Sequence, residues 1–129
     1  MSKLLLVEDD EEESRMYERL FIQEGFEVFK LKSGENCHEA AVYFRPDIIL
    51  MDLFMPKVNG LEALDTLHFH ADTKDIPVIM LTNISDSTRE KDAYRRGATR
   101  FITKCTVENS ELVKQVQSLI SARSGAISS

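Results

Sequence analysis

Three carboxylates stand at the ends of two apolar runs. Glu8 and Asp9 close "KLLLVED", and Asp52 closes "DIILMD" before Leu53, Phe54, Met55 and Pro56 follow. Crowded like charges repel and raise one another's pKa, so nothing in a core rewards bringing such acids together. A divalent cation does: Mg²⁺ takes carboxylates, backbone carbonyls and water. Two further apolar runs also end on polar groups, Thr82 in "VIMLTN" and Lys104 in "FITKC". Alone, Thr82 reads as a cap or loop hydroxyl and Lys104 as a solvated lysine. Together the inventory is two metal-holding acids, a further acid, a hydroxyl and an ammonium. That set suits a phosphoryl group. The metal and Lys104 neutralise its oxygens, Thr82 donates a hydrogen bond, and Asp52 is left to attack. The next acids, Asp10 to Glu13, have a plainer reading as the first turn of a helix, where negative charge complements the dipole.

Such a site needs strands that deliver all these ends to one edge. Short apolar runs occur at 3–7, 27–31, 47–51, 76–81 and 99–103. Between them lie helical stripes: Met16, Tyr17, Leu20 and Phe21; Leu61, Leu64 and Leu67; Leu112, Val113, Val116, Leu119 and Ile120. Gly25 and Gly97 sit where helices end, and Ser87 with Glu90 reads as a capping box. Strands alternating with helices imply parallel pairing through right-handed crossovers. The first, third and fourth runs are apolar throughout, as strands covered on both faces must be. The expected fold is α/β, a single doubly wound domain with a five-stranded parallel sheet and five helices. Ligands of such sheets bind beyond the carboxyl ends of the strands, where the acids stand.

Composition sets outer bounds. The 129 residues suffice for one domain with a core, and 43% of them are hydrophobic. No apolar run approaches the roughly 20 residues that span a bilayer. The N-terminus turns acidic too early for a signal peptide. Two cysteines, Cys37 and Cys105, fit a reducing compartment. The expectation is a cytoplasmic protein without a membrane partner. The formal net charge of −6 weighs mildly against direct nucleic-acid binding.

At this point the chain resembles a known family, the receiver domains of two-component response regulators, from Lys3 to about Ile120. The carrying motifs are "VEDD", "MDLFMPKVNG", "LTN" and "FITK", in that order. The resemblance implies the strand order 2-1-3-4-5 and a phosphorelay role. Asp52 is implied as the phosphoacceptor, Asp9 as a direct Mg²⁺ (or Mn²⁺) ligand, and Glu8 as an acid holding the metal through water. The Phe54 carbonyl is implied as a further ligand. Thr82 and Lys104 are implied as the switch pair, and Phe101 as an aromatic that changes rotamer. Pro56 and Gly60 match the turn after the third strand. The phosphodonor is expected to be a histidine kinase or a histidine phosphotransfer protein. The surface made by the fourth helix, fifth strand and fifth helix is expected to be read by a protein partner or a fused output domain. The chain would be no enzyme beyond its own phosphoryl transfer and slow autodephosphorylation.

Three positions depart from the family pattern. Cys105 follows Lys104 where proline is usual, so a trans peptide is expected there. Asn83 follows Thr82 where a small residue is usual. "GATRFI" lacks the acids that many dimerising regulators carry. Rival classes fit less well. A haloacid-dehalogenase-type phosphatase needs a second acid two residues after its nucleophile, and Phe54 stands there. A flavodoxin-like carrier needs a hydroxyl- and glycine-rich first loop, which "VEDDEEE" is not. A degenerate receiver acting only as a binding module would not keep all five polar site residues. A receiver cut from a longer regulator stays open. The plan is a receiver over 1–122 and a loose tail or linker over 123–129. His68 and His70 read as a solvated helix end, Cys37 as a small buried residue, and "REKDAYRR" as an exposed helix face. Phe54 and Ile84, two residues past Asp52 and Thr82, are apolar and are expected to shield a phosphoryl group from water.

Overall fold

The computed structural model describes residues 1–84, 86–104 and 107–128, with 124–128 as backbone alone. Strands and helices alternate: β1 (Lys3–Val7), α1 (Glu11–Gln23), β2 (Glu27–Leu31), α2 (Cys37–Phe44), β3 (Ile48–Asp52), α3 (Gly60–Phe69), β4 (Val78–Thr82), α4 (Ser87–Arg95), β5 (Arg100–Thr103) and α5 (Asn109–Ser128). The strands form one parallel sheet in the order β2-β1-β3-β4-β5.

Alternation along each strand divides the core in two. Leu5, Val7, Ile49, Met51, Val78 and Met80 face one side, packed by Cys37, Ala41 and Phe44 of α2, Ala63, Leu64 and Leu67 of α3, and Ala93 of α4. Leu4, Leu6, Ile48, Leu50, Ile79 and Leu81 face the other, packed by Tyr17 and Phe21 of α1 and Leu112, Val113 and Val116 of α5. Strands β3 and β4 are buried along their whole length, which is why they read as unbroken apolar runs.

Gly25 (φ 90°) and Gly97 (φ 112°) do follow helix ends, in the left-handed conformation that costs glycine little. Several local expectations need correction. The α1 stripe is centred on Ser14, Tyr17 and Phe21, and Met16 faces solvent. Helix α4 is capped by Asp86, whose Oδ1 accepts from the Thr88 and Arg89 amides at 2.9 and 3.3 Å, so Ser87 lies inside the helix. A capping box does exist, but on α3, between Asn59 and Glu62. The stretch expected to be a loose tail continues α5 as helical backbone to Ser128. Nothing in 121–128 stops a helix outright: no proline occurs there, and Ala122 and Ala126 favour one. Cys105 and its peptide bond to Lys104 lie outside the described residues.

Candidate functional site

Parallel strands bring their carboxyl ends to one edge. Asp52 is the last residue of β3 and Thr82 the last of β4. Glu8 follows β1 directly, and Lys104 follows β5. The register holds them level: Val7 lies beside Met51, Asp52 beside Leu81, and Thr82 beside Thr103. The β3 end is braced from below by Gly60, the first residue of α3. Its amide donates to the Leu53 carbonyl at 2.9 Å. A Cβ on Gly60 would stand 2.5 Å from the Asp52 carbonyl oxygen and 3.0 Å from the Leu53 Cα, so the helix approaches the site only through glycine.

Lys104 is the hub. Its side chain is 6% exposed, and its Nζ stands 2.8 Å from Glu8 Oε1, 3.2 Å from Glu13 Oε1 and 3.5 Å from Asp52 Oδ1. Burial alone would push the ammonium pKa down. The bond to Glu8, the charge of Asp52 and the bond to Glu13 together reverse that and raise it above the usual lysine range. Burial raises the Glu8 carboxyl to about 7, with Asp52 adding to the rise and Lys104 opposing it. Asp52 is raised too, chiefly by burial, and held back by Glu8, Lys104 and the Phe54 amide that donates to its carboxylate. One ammonium thus serves two buried acids that both resist ionisation.

A cation would relieve the same crowding. Glu8, Asp9 and Asp52 each offer a carboxylate oxygen, and the three lie within 4.8 Å of one another. Glu8 and Asp52 are buried while Asp9 faces solvent. An all-oxygen set open on one side fits Mg²⁺, which retains several waters. Among the described residues no other trio of His, Cys, Asp or Glu gathers in this way. His70 instead stacks on His38 with ring centroids 3.7 Å apart. Cys37 is buried, and burial pushes its thiol up to about 12.

The remaining expected residues lie around this centre. Thr82 is fully buried, and its Oγ1 accepts from the Ile84 amide at 3.1 Å. Phe101 is half-buried against the core cluster that includes Met80, and its amide donates to the Tyr94 hydroxyl at 3.0 Å. Phe54 and Ile84 are 44% and 50% exposed, so both stand at the rim rather than over the carboxylate. The Arg89 guanidinium lies over the Phe54 ring at 4.9 Å. The sequence reading did not single out Arg89 or Tyr94. It also treated Glu13 only as a first-turn acid. An acid three residues after Asp10 looks the same whether it serves the helix or a lysine from β5, and no local signal separates the two.

A doubly wound parallel sheet with an acid trio and a buried lysine at its carboxyl edge defines a class of phosphoacceptor switch. The family described as "Response regulator receiver domain" matches residues 4–117, and the chain belongs to it. It is a receiver domain of two-component systems. The protein PilH of Pseudomonas aeruginosa is 31% identical over 120 residues, covering 93% of this chain and 98% of that one. The transcriptional regulatory protein SrrA of Staphylococcus aureus is 30% identical, and the match spans 93% of this chain but 48% of SrrA. The solved structure of the chemotaxis protein CheY4 of Vibrio cholerae superposes with a TM-score of 0.85 at 26% identity, over 92% of this chain and 98% of that one.

Proposed function

We propose that this receiver domain takes a phosphoryl group on Asp52 from a phosphohistidine of a histidine kinase or histidine phosphotransfer protein. The observation that carries this reading is Lys104 Nζ lying between Glu8 and Asp52 at the sheet edge, at 2.8 and 3.5 Å. An Asp52 oxygen attacks phosphorus, the phosphorus–nitrogen bond to the donor imidazole breaks, and the imidazole keeps the electron pair. Asp9, Glu8, Asp52 and the Phe54 carbonyl are the residues that would hold Mg²⁺ (or Mn²⁺). When bound, that ion spreads the negative charge of the transferring group. Lys104 donates to a phosphoryl oxygen, and the Phe54 amide holds the Asp52 carboxylate in place. Thr82 leaves the Ile84 amide to reach the new phosphate, and the half-buried Phe101 ring turns into the space it vacates. That change biases the surface of α4, β5 and α5, which a partner protein or fused output domain reads.

On this reading the chain is a signalling module whose only chemistry is its own phosphoryl transfer and slow loss. We assign the receiver unit to residues 1–122 and place it in the cytoplasm, in keeping with the absence, among the described residues, of any helix long and apolar enough to cross a membrane. The test is incubation with acetyl phosphate and Mg²⁺ followed by intact-mass measurement. One phosphoryl mass is expected on the parent and none on Asp52→Asn. Undiminished labelling of Asp52→Asn sinks the assignment, and an unlabelled parent would favour a module that only binds.

A further inference from the structure

Helix α1 begins with Asp10 as its N-cap and Glu13 at its third helical position. A glutamate there ordinarily reaches back to the N-cap amide and closes a reciprocal pair. Here the Asp10 amide donates to Glu8 Oε2 at 3.3 Å instead. The Glu13 carboxylate leaves its own helix and meets Lys104 Nζ at 3.2 Å. It is the less exposed of the neighbouring first-turn acids, half-buried where Glu11 and Glu12 are open to solvent. An acid serving only the helix dipole has no reason to desolvate against a lysine.

The ammonium has three protons to donate. Three carboxylates surround it, and Asp52 is the most distant of them, at 3.5 Å. To meet a phosphoryl oxygen on Asp52, Lys104 must weaken one of the other two contacts. Glu8 belongs to the trio that fits a cation and has that second partner to turn to, whereas Glu13 lies outside the trio. Glu13 is therefore the partner that stays on the ammonium while phosphoryl transfer proceeds. We propose that Glu13 is a positioning residue that holds Lys104 back from Asp52 and so restrains the rate at which Asp52 is phosphorylated. The proposal rests on the receiver reading above, and it makes the first turn of α1 a brake on the reaction.

The experiment compares the parent with Glu13→Gln, Glu13→Asp and Glu12→Gln. Two quantities are read: the initial rate of Asp52 labelling by acetyl phosphate with Mg²⁺, and the NMR signal of the Lys104 ε-ammonium in metal-free protein. Glu13→Gln keeps the shape and removes the charge. Glu13→Asp keeps the charge and, one methylene shorter, loses the reach. Both are expected to label faster, by about three- to tenfold, as one charge-assisted contact is weakened. Both should also move the Lys104 signal. Glu12→Gln removes the same charge from a solvent-facing neighbour and should change neither. Equal acceleration in Glu12→Gln and Glu13→Gln would overturn the proposal in favour of net charge. So would parental or slower labelling in both Glu13 variants. A parent that takes no label overturns the receiver reading itself, and this inference with it.

Discussion

Helices α1 and α3 open with the same local pattern and put it to different use. In each, an N-cap side chain accepts from the amide three residues on, Asp10 from Glu13 at 2.9 Å and Asn59 from Glu62 at 3.0 Å. In each, that third residue is glutamate. At α3 the glutamate returns the bond, Glu62 Oε1 accepting from the Asn59 amide at 3.4 Å, and the box closes. At α1 it does not: Glu8 takes the N-cap amide and Glu13 goes to Lys104. The first helical residues differ as well. Glu11 stands in solvent with weak ion pairs to Arg15 and Lys32, whereas Gly60 is pressed against the backbone of β3. The α3 start is thus a support that spends its side chains on itself, and the α1 start lends its side chains to the site. The same local sequence pattern yields to whichever partner the fold brings within reach.

The largest effect that would break this contrast is expected at the first helical residues. Gly60→Ala places a methyl against the Asp52 carbonyl and should cost about 2 kcal/mol or more, because backbone cannot step aside cheaply. Glu11→Ala should stay within about 0.5 kcal/mol, as exposed ion pairs contribute little. Urea unfolding of both variants decides it, and equal costs would mean that the α3 start has room to shift. Caps come next. Asn59→Ala and Asp10→Ala should each lose about 1 kcal/mol, since each removes the acceptor of one otherwise unpaired amide. A negligible loss in Asp10→Ala would show that Glu8 and its neighbours, not Asp10, hold the start of α1. The smallest and sharpest difference lies at the two glutamates. Glu62→Ala should cost about 0.5 kcal/mol and leave Asp52 labelling at the parental rate. Glu13→Ala should change the melting temperature little and the labelling rate clearly. Thermal unfolding beside a labelling time course separates the two, and a labelling change in Glu62→Ala would erase the contrast.

Much of the architecture is legible in the linear order of residues. Unbroken apolar runs such as Ile48–Met51 and Val78–Leu81 arise because both sheet faces are covered, and that requirement marks them as central strands. The polar residue that ends each run falls at the edge where parallel strands finish, so Glu8, Asp52, Thr82 and Lys104 could be grouped from sequence. What failed was local detail that several residues satisfy equally. Ser87 with Glu90 has the composition of a capping box, but Asp86, one residue earlier, also caps, and its carboxylate reaches two amides. Met16 and Tyr17 are both apolar enough for the α1 stripe. Which of them faces Phe21 and the sheet depends on the roll of the helix, and that leaves Met16 outside.

Period and composition therefore dictate that this chain forms strands and helices in alternation, and that its chemistry stands at the strand ends, because burial and backbone hydrogen bonding act along the chain. Selection among equivalent partners belongs to the packed structure. Glu13 bonds Lys104 rather than its own helix, and Phe54 meets Arg89 rather than covering Asp52, because only packing brings β5 alongside α1 and α4 alongside the β3–α3 loop. A carboxylate a few ångströms from a buried ammonium gains more there than from an exposed amide at its own helix end, since the attraction grows as water is excluded. That gain depends on distances set by the whole fold, and no segment read alone contains them.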